Sequence, residues 1–333
     1  MAKLLKVHGS ENKFFLMDQT ELKQPLTTHE MQKLVQFLTD PKHHILNGAD
    51  GLLVVNQSKD PKALAEMRIF NRDGSEASMC GNGLRTVSRY LSEKTGQDHF
   101  IVSTMGDNLH EVSREQDLAP KVPAFSVEIA PVKFAPSAMP LHKLGDHKII
   151  DQLIPQFIKG LKFSVIAVPN PHLISFVPKI DPTQLGHLGK YLNGENPYFT
   201  DGVNVNFAKI LGKNRIFVQT YERGVGFTNA CGTGMSATSL AFVLTHPQDG
   251  QFNHVITVLN PGGMVRTKVM KHSDGSYSIN LAGNATFTHQ LTIPEADLHQ
   301  GEFSLSEVSI KDTHEEDAYQ QFVKAVKAKE HLN

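Results

Sequence analysis

The sequence predicts an α+β fold, rich in strands and built by duplication of one domain. Two observations carry this. Apolar and polar residues alternate in short runs bounded by Gly, Asn or charged turns, which is the period of half-buried strands. Strands, a polar loop, a Cys-Gly-x-Gly tetrapeptide and a helical pattern then follow one another twice, through Cys80-Gly81-Asn82-Gly83 and through Cys231-Gly232-Thr233-Gly234. A length of 333 residues exceeds the usual single core and matches two domains of roughly 150 residues each.

In the first half, residues 3–7, 14–18 and 51–55 read as strands. Helical patterns cover 28–38, with Thr27 or Thr28 as N-cap, then 83–93, 151–157 and 234–244. A second run of strands covers 126–134, 163–168, 173–177, 203–209 and 215–221. The expected domains are 1–122 and 123–290, with the boundary near Pro120 and Pro123 and the last strand free to cross back to the first domain. After Gln290 the chain turns polar, and 291–333 reads as a charged extension. Its segment 312–329 forms a terminal helix laid on the surface around Phe322, Val323 and Val326.

Composition excludes several classes of function. A net charge of -1, with 33 basic residues scattered along the chain, gives no electrostatic footprint for nucleic acid or an anionic membrane. No stretch approaches the roughly 20 apolar residues needed to span a bilayer, and residues 1–15 lack the apolar run of a signal peptide. A cytoplasmic protein is expected, and in a reducing compartment its only two cysteines are expected as free thiols. None of the 17 histidines forms an H-E-x-x-H or a Cys/His cluster, so no metal site is expected.

A cysteine alone is ordinarily a small buried hydrophobe. Two in matched Gly-rich contexts, each at the start of a helix, point instead to paired acid/base chemistry. A thiol in the first helical turn feels the positive end of the macrodipole and accepts from unpaired N–H groups, so its pKa is expected to fall. The N–H groups of Gly81, Asn82, Gly232 and Thr233 form anion-binding concavities. Two such termini facing each other would hold one carboxylate, with an α-carbon between the sulfurs. One thiolate then removes the α-proton and the opposite thiol returns one, with no cofactor. A nucleotide loop is disfavoured, because neither motif continues as G-x-G-x-x-G or carries a P-loop Lys.

Residues 68–83, from Arg68 to Gly83, and residues 221–234, from Tyr221 to Gly234, resemble the diaminopimelate epimerases, cofactor-independent enzymes that use two cysteines. Shorter matches run through Val7-His8-Gly9 to Asn12, Gly48-Ala49-Asp50-Gly51, Asn170-Pro171-His172 and 203–207, in family order from residue 3 to about 290. The resemblance implies two pseudo-symmetric domains, each a mixed or antiparallel sheet wrapped around a central helix, with the site in a cleft between them. It implies Cys80 and Cys231 as the acid/base pair, Glu222 as acceptor for the substrate ammonium and Arg223 as partner of a distal carboxylate. Asn12, Asn71, Asn170 and Asn204 complete the substrate site; for each Asn alone a turn or cap role is the commoner one. His172 is expected in a structural hydrogen bond.

The resemblance further implies an isomerase that interconverts LL- and meso-diaminopimelate for lysine and peptidoglycan precursor synthesis, as a homodimer. Three positions depart from the family pattern. Glu11 stands where a glycine is usual before Asn12, Phe227 replaces a Glu, and Pro169 stands where a glycine precedes Asn170. They leave open a racemase of another amino acid on the same scaffold. A different class, a thiol redox protein with a reversible Cys80–Cys231 disulfide, predicts gain of function on oxidation where the epimerase predicts loss.

Overall fold

The computed structural model describes residues 1–43, 45–106 and 108–329. The chain forms two compact units, residues 1–127 together with the segment from Ala282 onward, and residues 128–281.

In the first unit, β1 (Ala2–Gly9) and β2 (Asn12–Asp18) form an antiparallel hairpin. After α1 (Thr28–Thr39), β3 (Gly51–Asn56) runs parallel to β2, and β4 (Ala65–Asn71) antiparallel to β3 with the short β5 (Glu76–Ala77) on it. Then come α2 (Gly81–Thr95), β6 (His99–Thr104) parallel to β4, β7 (Asn108–Ala119) and β8 (Val122–Ile129).

The second unit repeats this order. After β9 (Gln152–Leu153), β10 (Lys162–Val168) and β11 (Asn170–Phe176) form the hairpin. Next come α3 (Pro182–Leu192), β12 (Asn204–Gly212) parallel to β11, and β13 (Arg215–Glu222) antiparallel to β12 with the short β14 (Gly226–Thr228) on it. α4 (Gly232–Thr245), β15 (Val255–Asn260) parallel to β13, β16 (Gly263–Lys271) and β17 (Tyr277–Asn284) complete it. The two series match pairing for pairing. The returning segment adds β18 (Thr286–Ile293) antiparallel to β1, α5 (Glu295–Gln300), β19 (Ser309–Asp312) and α6 (Glu315–Lys329).

Each unit holds its Cys-Gly helix inside its sheet. α2 touches β1, β2, β3, β4 and β7, and α4 touches β10 to β13, β15 and β16. Ten consecutive residues of α4, Gly234 to Val243, are buried, so the helix lacks the polar face of a surface helix. Its hydroxyls are satisfied locally: Ser236 donates to the carbonyl of Gly232, Thr238 to that of Gly234 and Ser239 to that of Met235, at 2.7–2.9 Å. α1 instead packs one face, Met31, Leu34, Val35 and Leu38, onto Phe15, Leu52 and Leu291. It starts at Thr27, whose hydroxyl accepts from Glu30 N–H while the Glu30 carboxylate accepts from Thr27 N–H, a capping box.

Two helix expectations need correction. No helix covers 151–157: Asp151 is left-handed at φ 52 and a two-residue strand follows. Ile154 and Phe157 have helical spacing, but Pro155 pushes Ile154 out of the α region and lacks the N–H that a helix interior needs. α3 was not expected, although Asp181 caps it by accepting from Thr183 and Gln184 N–H and Pro182 opens it. Gly186 and Gly189 dilute its pattern. A Cβ at Gly189 would lie 2.3 Å from the Tyr221 ring, so the glycine lets α3 lie on β13.

Around the return of the chain, the compact units divide after Val127 and again before Ala282, whereas the sequence places boundaries at 122 and 290. The charged extension is packed: Tyr319, Phe322 and Val323 of α6 are buried. Ser10 and Glu11, which join β1 to β2, both adopt left-handed backbone, at φ 53 and 66. Two-residue hairpins favour Asn-Gly in that conformation, and a residue with a Cβ costs roughly 1–2 kcal/mol there.

Candidate active site

In both units the cysteine is the N-cap of the buried helix. Cys80 has extended backbone (φ -145, ψ 109) and its Sγ accepts from Gly83 N–H at 3.4 Å. Cys231 matches it (φ -115, ψ 105), with its Sγ accepting from Gly234 N–H at 3.4 Å. The glycine in the third position allows this fit. A Cβ at Gly83 would lie 2.7 Å from Leu53, and one at Gly234 would lie 2.5 Å from Asn206 Oδ1 and 3.2 Å from the Cys231 sulfur. Neither Cys80 nor Cys231 is in a disulfide. Gly81 and Asn82 head α2, and Gly232 and Thr233 head α4, where backbone N–H groups have no carbonyl four residues back.

The first unit gathers Asn12, Cys80 and Asn82. The Cys80 thiol donates to Asn12 Oδ1 at 3.5 Å, and Asn82 Nδ2 donates to the same oxygen at 3.3 Å. Asp50 accepts from Asn12 Nδ2 at 2.8 Å and so decides which way the Asn12 amide faces. Asn71, exposed at the end of β4, donates to Ser75 Oγ at 3.0 Å inside a turn whose hydroxyl Asp73 also holds. Beneath Cys80, Arg85 is wholly buried between Gly9 and Gly283, whose Cβ atoms would lie 2.8–2.9 Å from its guanidinium. It donates to the carbonyl of Asn284 and to Ser10 Oγ, both at 3.2 Å. Burial draws its pKa down to about 10, opposed by the nearby Cys80.

The second unit gathers Asn170, Asn204, Glu222, Arg223 and Cys231. Asn204, buried, accepts Arg223 N–H at 2.8 Å, while the Arg223 guanidinium is exposed and donates to the carbonyl of Asp201 at 3.0 Å. A relay of side chains lies behind them. Thr220 donates to Asn206 Oδ1 at 2.8 Å, Asn206 Nδ2 meets His172 Nδ1 at 3.3 Å, and His172 Nε2 meets Asn170 Oδ1 at 3.2 Å. Because Asn206 Nδ2 can only donate, His172 accepts at Nδ1 and carries its proton on Nε2, which turns the Asn170 amide. Burial first, and Arg223 second, hold His172 neutral by lowering its pKa to about 3. The structural hydrogen bond expected of His172 is thus present, and it aims a candidate substrate residue.

The thiols differ. Cys231 is buried where Cys80 is partly exposed. Burial first and the Glu222 charge second push the Cys231 thiol up to about 12, against the hydrogen bonds from Thr233 and Gly234. The expected fall in pKa therefore does not hold for Cys231 in the free protein, because desolvation outweighs the helix cap. Glu222 is itself raised by burial. Phe227, the departure from Glu, is exposed and sets its ring edge-on against Tyr221 at 5.5 Å and beside Gly186 of α3. Among the described residues, no group of three His, Cys, Asp or Glu side chains gathers to hold a metal ion.

Asp50, Arg85, Asn206 and Thr220 were missed by sequence reasoning. Asp50 and Asn206 lie within the shorter family matches, at 48–51 and 203–207, and that position was the signal available for them.

The sequence model of the Diaminopimelate epimerase family matches residues 4–122 and 164–288. A diaminopimelate epimerase of Ligilactobacillus salivarius is 49% identical over 323 residues, covering 96% of this chain and 98% of that protein. One of Enterococcus faecalis is 47% identical over 326 residues, with 97% and 98% covered. Solved structures share the fold at low identity. A Bacillus anthracis phenazine biosynthesis protein of the PhzF family has a TM-score of 0.59 at 14% identity, over 87% of this chain and 97% of that one. A hydroxyproline epimerase of Agrobacterium vitis has 0.53 at 16%, over 92% and 95%. With the same topology in both units and a cysteine capping the inner helix of each, the chain belongs to the diaminopimelate epimerase family.

Proposed function

We infer that the protein interconverts LL- and meso-diaminopimelate by two-base proton transfer between Cys80 and Cys231. The observation that carries this reading is the repeated cap: each unit presents a thiol at the N-terminus of its inner helix, over the same topology. One sulfur, as thiolate, takes the α-proton. The other, as thiol, delivers a proton to the opposite face, so the stereocentre inverts and the two sulfurs exchange protonation states. Charge on the carbanion spreads into the α-carboxylate, which the N–H groups of Gly81, Asn82, Gly232 and Thr233 stabilise. No cofactor is needed in this scheme.

Glu222 accepts from the substrate ammonium, and its own raised pKa falls when that cation arrives. Arg223 leaves its guanidinium free to turn to the distal carboxylate, which it meets as a planar fork. Asn170, aimed by His172, and Asn204 complete that end, while Asn12 receives the Cys80 thiol hydrogen in the free state. Asn71 joins the distal end by turning away from Ser75. The high position of the Cys231 thiol agrees with a role as the proton donor in the free protein. Lysine and peptidoglycan precursor synthesis is the setting implied for meso-diaminopimelate, in a homodimer in the cytoplasm.

The test is NMR of the reduced protein with LL-diaminopimelate in D2O, beside lysine, glutamate and histidine. Loss of the α-proton signal with diaminopimelate alone supports both reaction and substrate. Exchange only with another amino acid overturns the substrate, and exchange with none overturns the reaction.

A further inference from the structure

The β1–β2 turn carries an unexplained cost. Its two residues are left-handed, and the second is Glu11 in place of a glycine that would adopt φ 66 freely. The turn leads directly into Asn12, the acceptor for the Cys80 thiol. Something holds it.

The holding groups come in two layers. Asn284 accepts Ser10 N–H at 2.7 Å, and His8 Nδ1 accepts Glu11 N–H at 3.3 Å. Asn284 Nδ2 also donates to His8 Nδ1, so this nitrogen carries a lone pair and the ring proton sits on Nε2. His8 Nε2 lies 2.8 Å from Glu316 Oε2, in the second residue of α6. The pair stands at ion-pair distance without the alignment of a hydrogen bond, so the carboxylate charge favours the proton on Nε2 and supports the tautomer in which Nδ1 receives the turn. One helical turn later, Gln320 donates to Glu11 Oε1 at 3.4 Å. α6 is itself locked down. Arg89 grips Glu315 with both nitrogens at 2.5 and 2.7 Å, and Tyr319 meets the His8 ring edge-on at 4.7 Å. The family model stops at 288, before this helix, while the alignments to the relatives above span 96–97% of the chain.

We propose that α6 is an intramolecular strap that positions the Cys80 half-site: Glu316, through the His8 tautomer, and Gln320 hold the left-handed Ser10–Glu11 turn and so set Asn12 against the Cys80 thiol. The inference deepens the epimerase reading and rests on it for the role of Cys80. Glu316 and Gln320 are positioning residues. They act through the turn and touch no substrate. The strap supplies from afar what a glycine at 11 would supply by its own backbone.

The experiment compares Glu316→Ala, Glu316→Gln and Gln320→Ala, each with Glu11 and with Glu11→Gly. It reads kcat and KM for α-proton exchange, and the rate of Cys80 alkylation by iodoacetamide with Cys231→Ser present. Circular dichroism confirms folding. Glu316→Ala is expected to lower kcat about tenfold with KM changed less than about twofold. It quickens alkylation of Cys80 several-fold, because Asn12 no longer accepts from the thiol and the protonated form loses that support. Gln320→Ala gives the same signs at smaller size, and reads the strap if Glu316→Ala does not fold. Glu316→Gln, which keeps the shape and removes the charge beside Nε2, shows losses of the same sign. Glu11→Gly removes most of the effect of either α6 substitution. Equal losses in the Glu11 and Glu11→Gly proteins, or wild-type kcat and alkylation in Glu316→Ala and Gln320→Ala alike, overturn the proposal. If the wild-type protein exchanges no α-proton, the epimerase reading fails, and the alkylation rates still decide whether α6 holds the turn.

Discussion

Glu222→Gln separates the electrostatics of Cys231 from recognition of the substrate, because it moves the two in opposite directions. Burial and the Glu222 charge raise the Cys231 thiol to about 12. The amide keeps the volume and the burial and deletes only the charge. A neighbouring charge commonly shifts a pKa by about 1–3 units, and the lower end of that range, about one unit, is about 1.4 kcal/mol. Far below the thiol pKa, the thiolate fraction then rises about tenfold. The assay is the alkylation rate of Cys231 in Cys80→Ser protein at about pH 8, below the usual thiol value. The ratio of the Gln and Glu variants cancels the access that burial restricts in both. In the same substitution, turnover falls, since a hydrogen bond to a charged partner is worth about 1.5–3 kcal/mol and its loss costs roughly ten- to a hundred-fold in kcat/KM. An alkylation rate that is unchanged or slower in the variant refutes the charge coupling. A rate that rises while kcat/KM stays intact refutes the assignment of Glu222 to the ammonium.

Two further outcomes concern the buried polar groups. Asn206→Leu removes the acceptor of the Thr220 hydroxyl and the donor to His172 Nδ1 at a fully buried position, and is expected to cost about 2–4 kcal/mol in chemical denaturation; a loss below about 1 kcal/mol contradicts the relay. The Glu316 carboxyl is drawn down to about 2, chiefly by His8, so its contribution to stability is complete above the ordinary carboxylate value and is lost as pH falls from about 4.5 through 2. Because its side chain is 35% exposed, about 1 kcal/mol is expected, and Glu316→Gln should flatten the acid limb of a stability profile by that amount; an unaltered limb counts against the pairing.

The duplication was legible because its signal is local. Cys80 and Cys231, their glycines and the alternating strands before them stand close enough in the chain for spacing alone to place a thiol at the start of each helix. The relay behind Asn170 was not legible. Parallel pairing of β11 with β12 sets His172 opposite Asn204, and Asn206 reaches the ring from two residues on. No periodicity within either strand encodes that register. Asp50 meets Asn12 for the same reason, across the parallel β2–β3 pair. Arg85 was hidden differently. Helix α2 is buried on nearly all sides, so an arginine there reads from the sequence as a break in an apolar face, and only the backbone of Gly9 and Gly283 shows what it fills.

Repeating one topology does not make two equal thiols, and a two-base epimerase needs them unequal only in protonation, not in reach. The inequality arises in what each unit hangs on its common frame. In the second unit, β13 ends in Glu222 and the chain turns at once into Arg223, so a carboxylate raises the Cys231 thiol and keeps its proton on. In the first unit, the matching strand β4 ends in Asn71, with Arg72 next, and Cys80 faces a neutral amide instead. An arriving ammonium would neutralise Glu222 and remove one of the two causes that hold the Cys231 proton. On the proposed mechanism the substrate would thereby bring the two thiols closer in proton affinity as one sulfur takes the α-proton and the other delivers its own, which would make substrate charge part of the catalytic balance.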